Sequence, residues 1–504
     1  MWLYSRQLLQ CAVFDFDYAD WFAHHLLGPH AFWNVAACTP CVHGEMHAWP
    51  SLFAMYEVFM SRFLSISDTA ASKGWHAIAV LLLSFIYVAV CSVGHTVALR
   101  YALQGGLLLL ALPLLRHSWP TFRAARYPII LLALFMAYAT LHTLLLSRWP
   151  AISMAELRSQ LGMATLWFFI GMVLYRVWRK YSIIDVVIAG GVALALAEFG
   201  LEAYQYLATG TWPYRETFST PTYLEFTFLI NFVLAFVVAT LCFGHWGRQR
   251  VSRISKPWLL AILALFVFVS LHAAARNGMI GMVYLSFSML LLYSIFQGVK
   301  HGWAKLLLIW LVVIGTLSSL VVYAIKQDSR NLAFTESVAA GWDYQHHPSW
   351  TQIGPLPLMS NGEPVDDSAF KRVAWIHSGL DMIASHPLGF GFMREVFAQA
   401  ATSMGIKNNL GHAHSGFIDL GLALGVPGIV LWLLFCASLF VTGYRRFRYQ
   451  QDVRGLMLML MVCGFLGRML NESIFRDHML QLLLFVAGAL LAEMIAMAKP
   501  GQGY

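Results

Sequence analysis

Charge is what this chain has least of. Only 12% of its 504 residues are Asp, Glu, Lys or Arg, about half the share in an ordinary soluble domain. That excludes a soluble globular protein. The long apolar runs show no strict alternation of polar and apolar residues, which excludes a membrane barrel and leaves helices as the way to satisfy the backbone in lipid. No internal repeat is visible, which argues against a transporter built from inverted halves. The start lacks the basic stretch, short apolar core and small-residue cleavage site of a signal peptide. Cysteine is sparse, seven in all, and Cys91, Cys242, Cys436 and Cys463 fall inside apolar segments, where they read as small buried hydrophobes. Nucleic acid is not an expected partner, because the surplus of +8 is spread over short loops between apolar runs, as topology determinants are.

What the chain has is apolar length. Hydrophobic residues make up 59% and the mean hydropathy is +0.64. Runs of roughly 20 residues recur, each long enough to span a bilayer as a helix. The pattern predicts an all-α polytopic membrane protein of about twelve transmembrane helices: 76–96, 99–115, 128–147, 160–177, 182–208, 222–245, 257–275, 277–297, 303–324, 414–442, 454–470 and 478–497. Residues 1–75 form an aromatic- and histidine-rich segment without a spanning run, read as cytoplasmic or interfacial. Spans 1–9 occupy 76–324, a large extramembrane loop 325–413, and spans 10–12 the stretch 414–504. In the loop, an amphipathic helix is expected over about Ala369–Ala384, then the breaker run HPLGFGF and a short helix near 394–404.

Sorting the loops by charge gives the sidedness. Arg116, Arg123 and Arg126, then Arg176, Arg179 and Lys180, then Arg248, Arg250, Arg253 and Lys256 fall on one side. Lys300, then Arg445, Arg446 and Arg448, and finally Lys499 continue that set, which the positive-inside rule places in the cytoplasm. The 209–221 loop, the tight turn near 276, the 325–413 loop and the 471–477 turn then face outward, and both termini face inward.

On the outer face stand Arg215 in GTWPYRETFSTPTYLEF, Arg276 in LHAAARNGMIGM and His414 in GHAHSGFIDLGLALG. An arginine fork binds phosphate oxygens bidentately and keeps its charge, so two at one membrane surface suit a diphosphate. The plainer alternative is snorkelling or local pairing, Arg215 with Glu216 for instance. Arg276 fits that alternative less well, since it interrupts a long, nearly uncharged stretch. A neutral imidazole at His414 can take a proton from a hydroxyl; the alternative is a capping or packing histidine. Ser415 is placed to cap the helix start, and Gly421, Gly425 and Gly428 read as close-packing positions between helices.

The stretch His412 to Gly428, H-x-H-S-x-x-x-D-L-G-x-x-x-G-x-x-G, resembles the signature of the bacterial O-antigen ligase and polymerase superfamily. Three further pieces resemble family segments in the family's order: RETFSTPTYLEF, AAARNGMIGM and RVAWIHSGLDMIASHPLGFGF. Together they cover roughly residues 210–440. The departures are Ser415 where Asn is common, Asp419 at a variable place, STP in place of a GNP-like turn, and residues 1–75, which have no counterpart. The resemblance implies a metal-independent, cofactor-free, inverting glycosyltransferase of the inner membrane with a periplasmic site. Its donor would be a glycan on undecaprenyl diphosphate and its acceptor a sugar hydroxyl of lipid A–core. It implies that His414 is the base, that Arg215 and Arg276 bind the diphosphate, and that Arg372 helps hold donor or acceptor; His412 is a further candidate at the binding site. Within the superfamily, a polymerase or a protein O-oligosaccharyltransferase stays open, and outside it a lipid-linked glycan transporter.

Other signals are weaker. Cys38, Cys41, His43 and His47 form a zinc-like cluster, but its spacing is tighter than that of ordinary zinc modules. Asp15-Phe-Asp17 is a three-residue match to the D-x-D of nucleotide-sugar enzymes. Glu198, Glu202 and Glu225 lie in or near spans, as partners for the arginines or as the lining of a polar cavity.

Overall fold

The computed structural model describes residues 70–213, 216–244, 251–273, 276–301, 334–475 and 477–497, with scattered residues between 304 and 319. Helices dominate. The first part holds α1 (Ala70–Val90), α2 (Val97–Leu115), the short α3 (Trp119–Ala124), α4 (Arg126–Leu145) and α5 (Pro150–Glu156). A π turn (Leu157–Gly162) leads into α6 (Met163–Val173), followed by α7 (Tyr175–Lys180) and α8 (Ile183–Thr209). Next come α9 (Tyr223–Phe243), α10 (Lys256–Ala273) and α11 (Arg276–His301). The 334–413 segment contains α12 (Phe334–Trp342), α13 (Asp367–Ser385) and α14 (Val396–Ser403). The chain then runs through α15 (Gly416–Gln450), α16 (Val453–Met469) and α17 (Asp477–Ala496).

Seven helices among the described residues are long and apolar enough to cross a membrane: α2, α4, α8, α9, α10, α15 and α17. Of the other five predicted spans, only shorter apolar stretches lie among the described residues. In α1 and α11 these are Gly74–Val90 and Gly278–Ser294, and Leu307–Thr316 belongs to the 303–324 span. The 160–177 segment is a π turn and α6, ended where Leu174 leaves helical geometry at ψ 15°. α16 has 17 residues with Arg454 and Arg468 near its two ends. Many leucines of α2 and α4 remain exposed, Leu109, Leu134 and Leu144 among them. They form the apolar outer surface that a bilayer covers.

α9 and α17 are the most enclosed of the long helices. α6 packs along α17, and α15 along both α16 and α4. Tyr87 stacks on Trp167 at 3.9 Å, with Phe485 against both rings. Start signals sit where side-chain chemistry dictates: Ser182, Thr222, Asp366 and Asp452 each accept a first-turn N–H of α8, α9, α13 and α16. At one end of α16, Arg454 Nε meets Glu493 at 2.7 Å, and Ser182 Oγ donates to the same carboxylate at 3.0 Å. The other end of α16 leads to the site.

α15 is bent, not straight. Gly425 has φ +69° and ψ −174°, a conformation open essentially to glycine alone. Carbonyls freed by the bend accept from outside the helix: Leu422 O from Phe390 N at 2.7 Å, Ala423 O from Gly391 N at 3.0 Å, and Leu424 O from Tyr138 Oη at 2.8 Å. Val426 N donates to Pro387 O at 2.8 Å, and His142 Nε2 to Leu388 O at 2.7 Å. The expectation that Gly425 packs two helices together is therefore corrected. It lets the HPLGFGF run dock, backbone to backbone, into the bend, and a Cβ there would strike Pro387 O and the Leu388 backbone.

Candidate functional site

The site is built around the turn from His412 to Gly416, just before α15. His414 adopts φ +51°, an uncommon left-handed conformation that sets its ring apart from the helix that follows. Three contacts hold the turn. Asp419 Oδ1 accepts from Ala413 N at 3.1 Å, Gly416 N donates to Glu472 O at 2.9 Å, and Ser415 Oγ donates to Met469 O at 3.3 Å. Ser415 stands at the helix start, but its side chain makes no capping bond, because its hydroxyl is taken by α16. Asp419, by contrast, reaches back one turn to fix the backbone before His414.

α13 supplies the wall facing this turn. Trp375 lies flat against His414, ring centroids 5.3 Å apart and planes 10° from parallel. Its own Nε1 donates to Trp350 O at 2.8 Å, so the indole is fixed at both ends. Arg372 is three residues earlier, on the same face of the helix, and its Nη2 is 3.8 Å from the Glu472 carboxylate. His412 packs against His414 with ring centroids 4.3 Å apart at 51°. Both histidines precede the helix, so their closeness arises from the turn. His414, His412 and Arg372 thus come together as three sequence-predicted residues, with Trp375, Glu472 and Asp419 as neighbours. Beside them a pocket opens between Gln160, Arg394, Asp419 and Ser473.

The two arginines expected to bind a diphosphate are placed less fully. Arg215 lies outside the described residues, while Arg276 opens α11. The supports of both are clear. Glu198, wholly buried on α8, accepts from Phe218 N at 3.0 Å and Ser219 N at 2.8 Å, and from Ser219 Oγ. This carboxylate therefore organises the turn that follows Arg215. Glu202, one turn further along α8, is also buried, and its carboxylate has no hydrogen-bond partner among the described residues. Glu225 lies 3.9 Å from His478. The first turn of α11 presses onto α9: a Cβ on Gly278 would come within 2.8 Å of Thr227, and Asn231 Nδ2 donates to Gly278 O at 2.9 Å.

Arg468, at the last turn of α16, joins these parts and was not among the residues the sequence singled out. Its Nη2 donates to Leu224 O at 2.9 Å and to Thr227 Oγ1 at 3.3 Å. The signal was present, since an arginine inside the apolar run MLMVCGFLGRML is itself a functional flag. Trp375 stands in the same quoted segment as Arg372 but was given no role, and Glu472 carried no comparable signal. Cys38, Cys41, His43 and His47, and Asp15 with Asp17, lie outside the described residues.

A helical membrane protein with a paired-histidine turn against an arginine-bearing helix is the class that fold and site define. Residues 261–433, from within α10 to α15, match the family model of the O-antigen ligases. The match supports the resemblance of this part of the chain to the O-antigen ligase and polymerase superfamily. A search of curated proteins found no match.

Proposed function

We propose that the chain is an O-antigen ligase of the bacterial inner membrane. In this reading it transfers a glycan from undecaprenyl diphosphate to a sugar hydroxyl of lipid A–core at the periplasmic face, with both termini in the cytoplasm. The observation that carries it is the His414 turn, whose imidazole is held flat against Trp375 with Arg372 on the same helix face. His414 takes the proton of the acceptor hydroxyl as that oxygen attacks the anomeric carbon. The new C–O bond forms as the bond to the diphosphate breaks on the opposite side, which inverts the centre. Undecaprenyl diphosphate leaves with the bonding electron pair, and Arg215 and Arg276 stabilise its charge. Arg372 holds donor or acceptor beside the base, and His412 lines the same mouth. Holding both partners in line contributes as much as the proton transfer, since orientation alone removes a large part of such a barrier.

The test is a deletion strain carrying either the wild-type chain or His414→Ala, with lipopolysaccharide resolved on a gel. The expected result is a full ladder with the wild type, and bare lipid A–core with accumulated long lipid-linked glycan with His414→Ala at equal expression. Core bearing a single repeat unit in the deletion strain would instead make the chain a polymerase. A normal ladder from His414→Ala would remove the base from this reading.

A further inference from the structure

We infer that Arg468 is a third cation of the anion site, binding a phosphate oxygen of the lipid-linked diphosphate between His414 and the start of α11. The inference rests on the donor proposed above.

A guanidinium carries five N–H donors in a rigid fork. Arg468 uses Nη2 to reach Leu224 O and Thr227 Oγ1, while Nε and Nη1 are buried and have no hydrogen-bond partner among the described residues. Burying charged donors without an acceptor is among the costlier things a fold does. A residue that served only to clamp α9 would not need those groups. Among the described residues, Arg468 and the guanidinium of Arg372 share the field of the Glu472 carboxylate.

The location fits a phosphate of the donor. Met469, the next residue, accepts from Ser415 Oγ in the His414 turn. On the other side, Thr227 touches the position of Gly278, two residues after the start of the helix that Arg276 opens. An anion at Arg468 therefore lies between the base and the second predicted phosphate-binding arginine. Neighbouring atoms cover Nε and Nη1, so reaching the anion takes a rotation of the long Arg468 side chain about its own bonds.

The test uses the full chain in nanodiscs, with His414→Ala as parent so that no turnover occurs, and compares undecaprenyl diphosphate with undecaprenol. The parent is expected to bind the diphosphate and not the alcohol. Arg468→Gln in that background should bind the diphosphate about 10- to 100-fold more weakly, the worth of a charge-assisted hydrogen bond. Thr227→Val, which removes one acceptor of the α9 clamp, should bind it as the parent does. Unchanged affinity in Arg468→Gln overturns the inference, as does an equal loss in Thr227→Val, because Arg468 would then act through α9. If Arg468→Gln does not fold, Arg468→Lys decides: its ammonium lacks the fork, so weakened binding supports the role and parental affinity overturns it. A parent that binds neither lipid overturns the donor reading itself, and this role with it.

Discussion

His414 reaches its place through a backbone torsion that few side chains adopt, and Trp375 then fixes the plane of its ring. The two tasks are separable. Trp375→Ala should leave the base in place but free to tilt, so kcat is expected to fall about 10- to 100-fold, the cost of slight misplacement of a reacting group. KM for the donor should stay near its wild-type value, and Trp375→Phe should recover much of the loss. A raised KM with unchanged kcat would mean that the indole binds substrate instead of orienting the base. At this scale His414, His412 and Arg372 were legible because a motif carried them. Trp375 stood in the same segment without a role and Glu472 in no motif, because a tryptophan on an amphipathic helix and a glutamate in a turn acquire their meaning only from what the fold sets opposite them. Arg468 was legible in principle, as a charge in an apolar run.

Among the elements, the bend of α15 matters most, since it fastens the 334–413 segment to the helix that begins at the His414 turn. Gly425→Ala is expected to destabilise the folded protein by about 1–3 kcal/mol from backbone strain alone, with more from the clash against Leu388. Gly421→Ala meets only the movable Ile383 and Ile429 side chains and should cost less. Thermal unfolding in detergent compares the two, and equal loss at both positions would make the bend incidental. Two helices of the 334–413 segment were legible, while α12 was not: α13 spans Asp367–Ser385 and α14 Val396–Ser403, close to the stretches that the amphipathic pattern marked. The bend was not, because a glycine in a run of Leu, Ala and Gly looks the same whether it admits a second helix or a loop's backbone.

Across the whole molecule, apolar length identified a helical membrane protein, and seven of the predicted spans are long and apolar enough among the described residues. Short helices hold their polar ends inside protein: Arg454 finds Glu493, and Arg468 finds Leu224 O. Hydropathy counts apolar residues and cannot see such partners. The proposed sidedness can be checked with single cysteines in a cysteine-free background. Glu363→Cys, in the exposed turn before α13, should react with a membrane-impermeant maleimide in spheroplasts. Arg445→Cys, on the exposed last turns of α15, should react only after lysis. The reverse pattern would invert the topology and move the site to the cytoplasm.

The staples that hold the His414 turn to α16 end on the carbonyls of Met469 and Glu472. Every amino acid carries that carbonyl, so the anchoring places no demand on which side chain stands at either position. The turn that carries His414 is thus held by backbone that any residue at either position would supply.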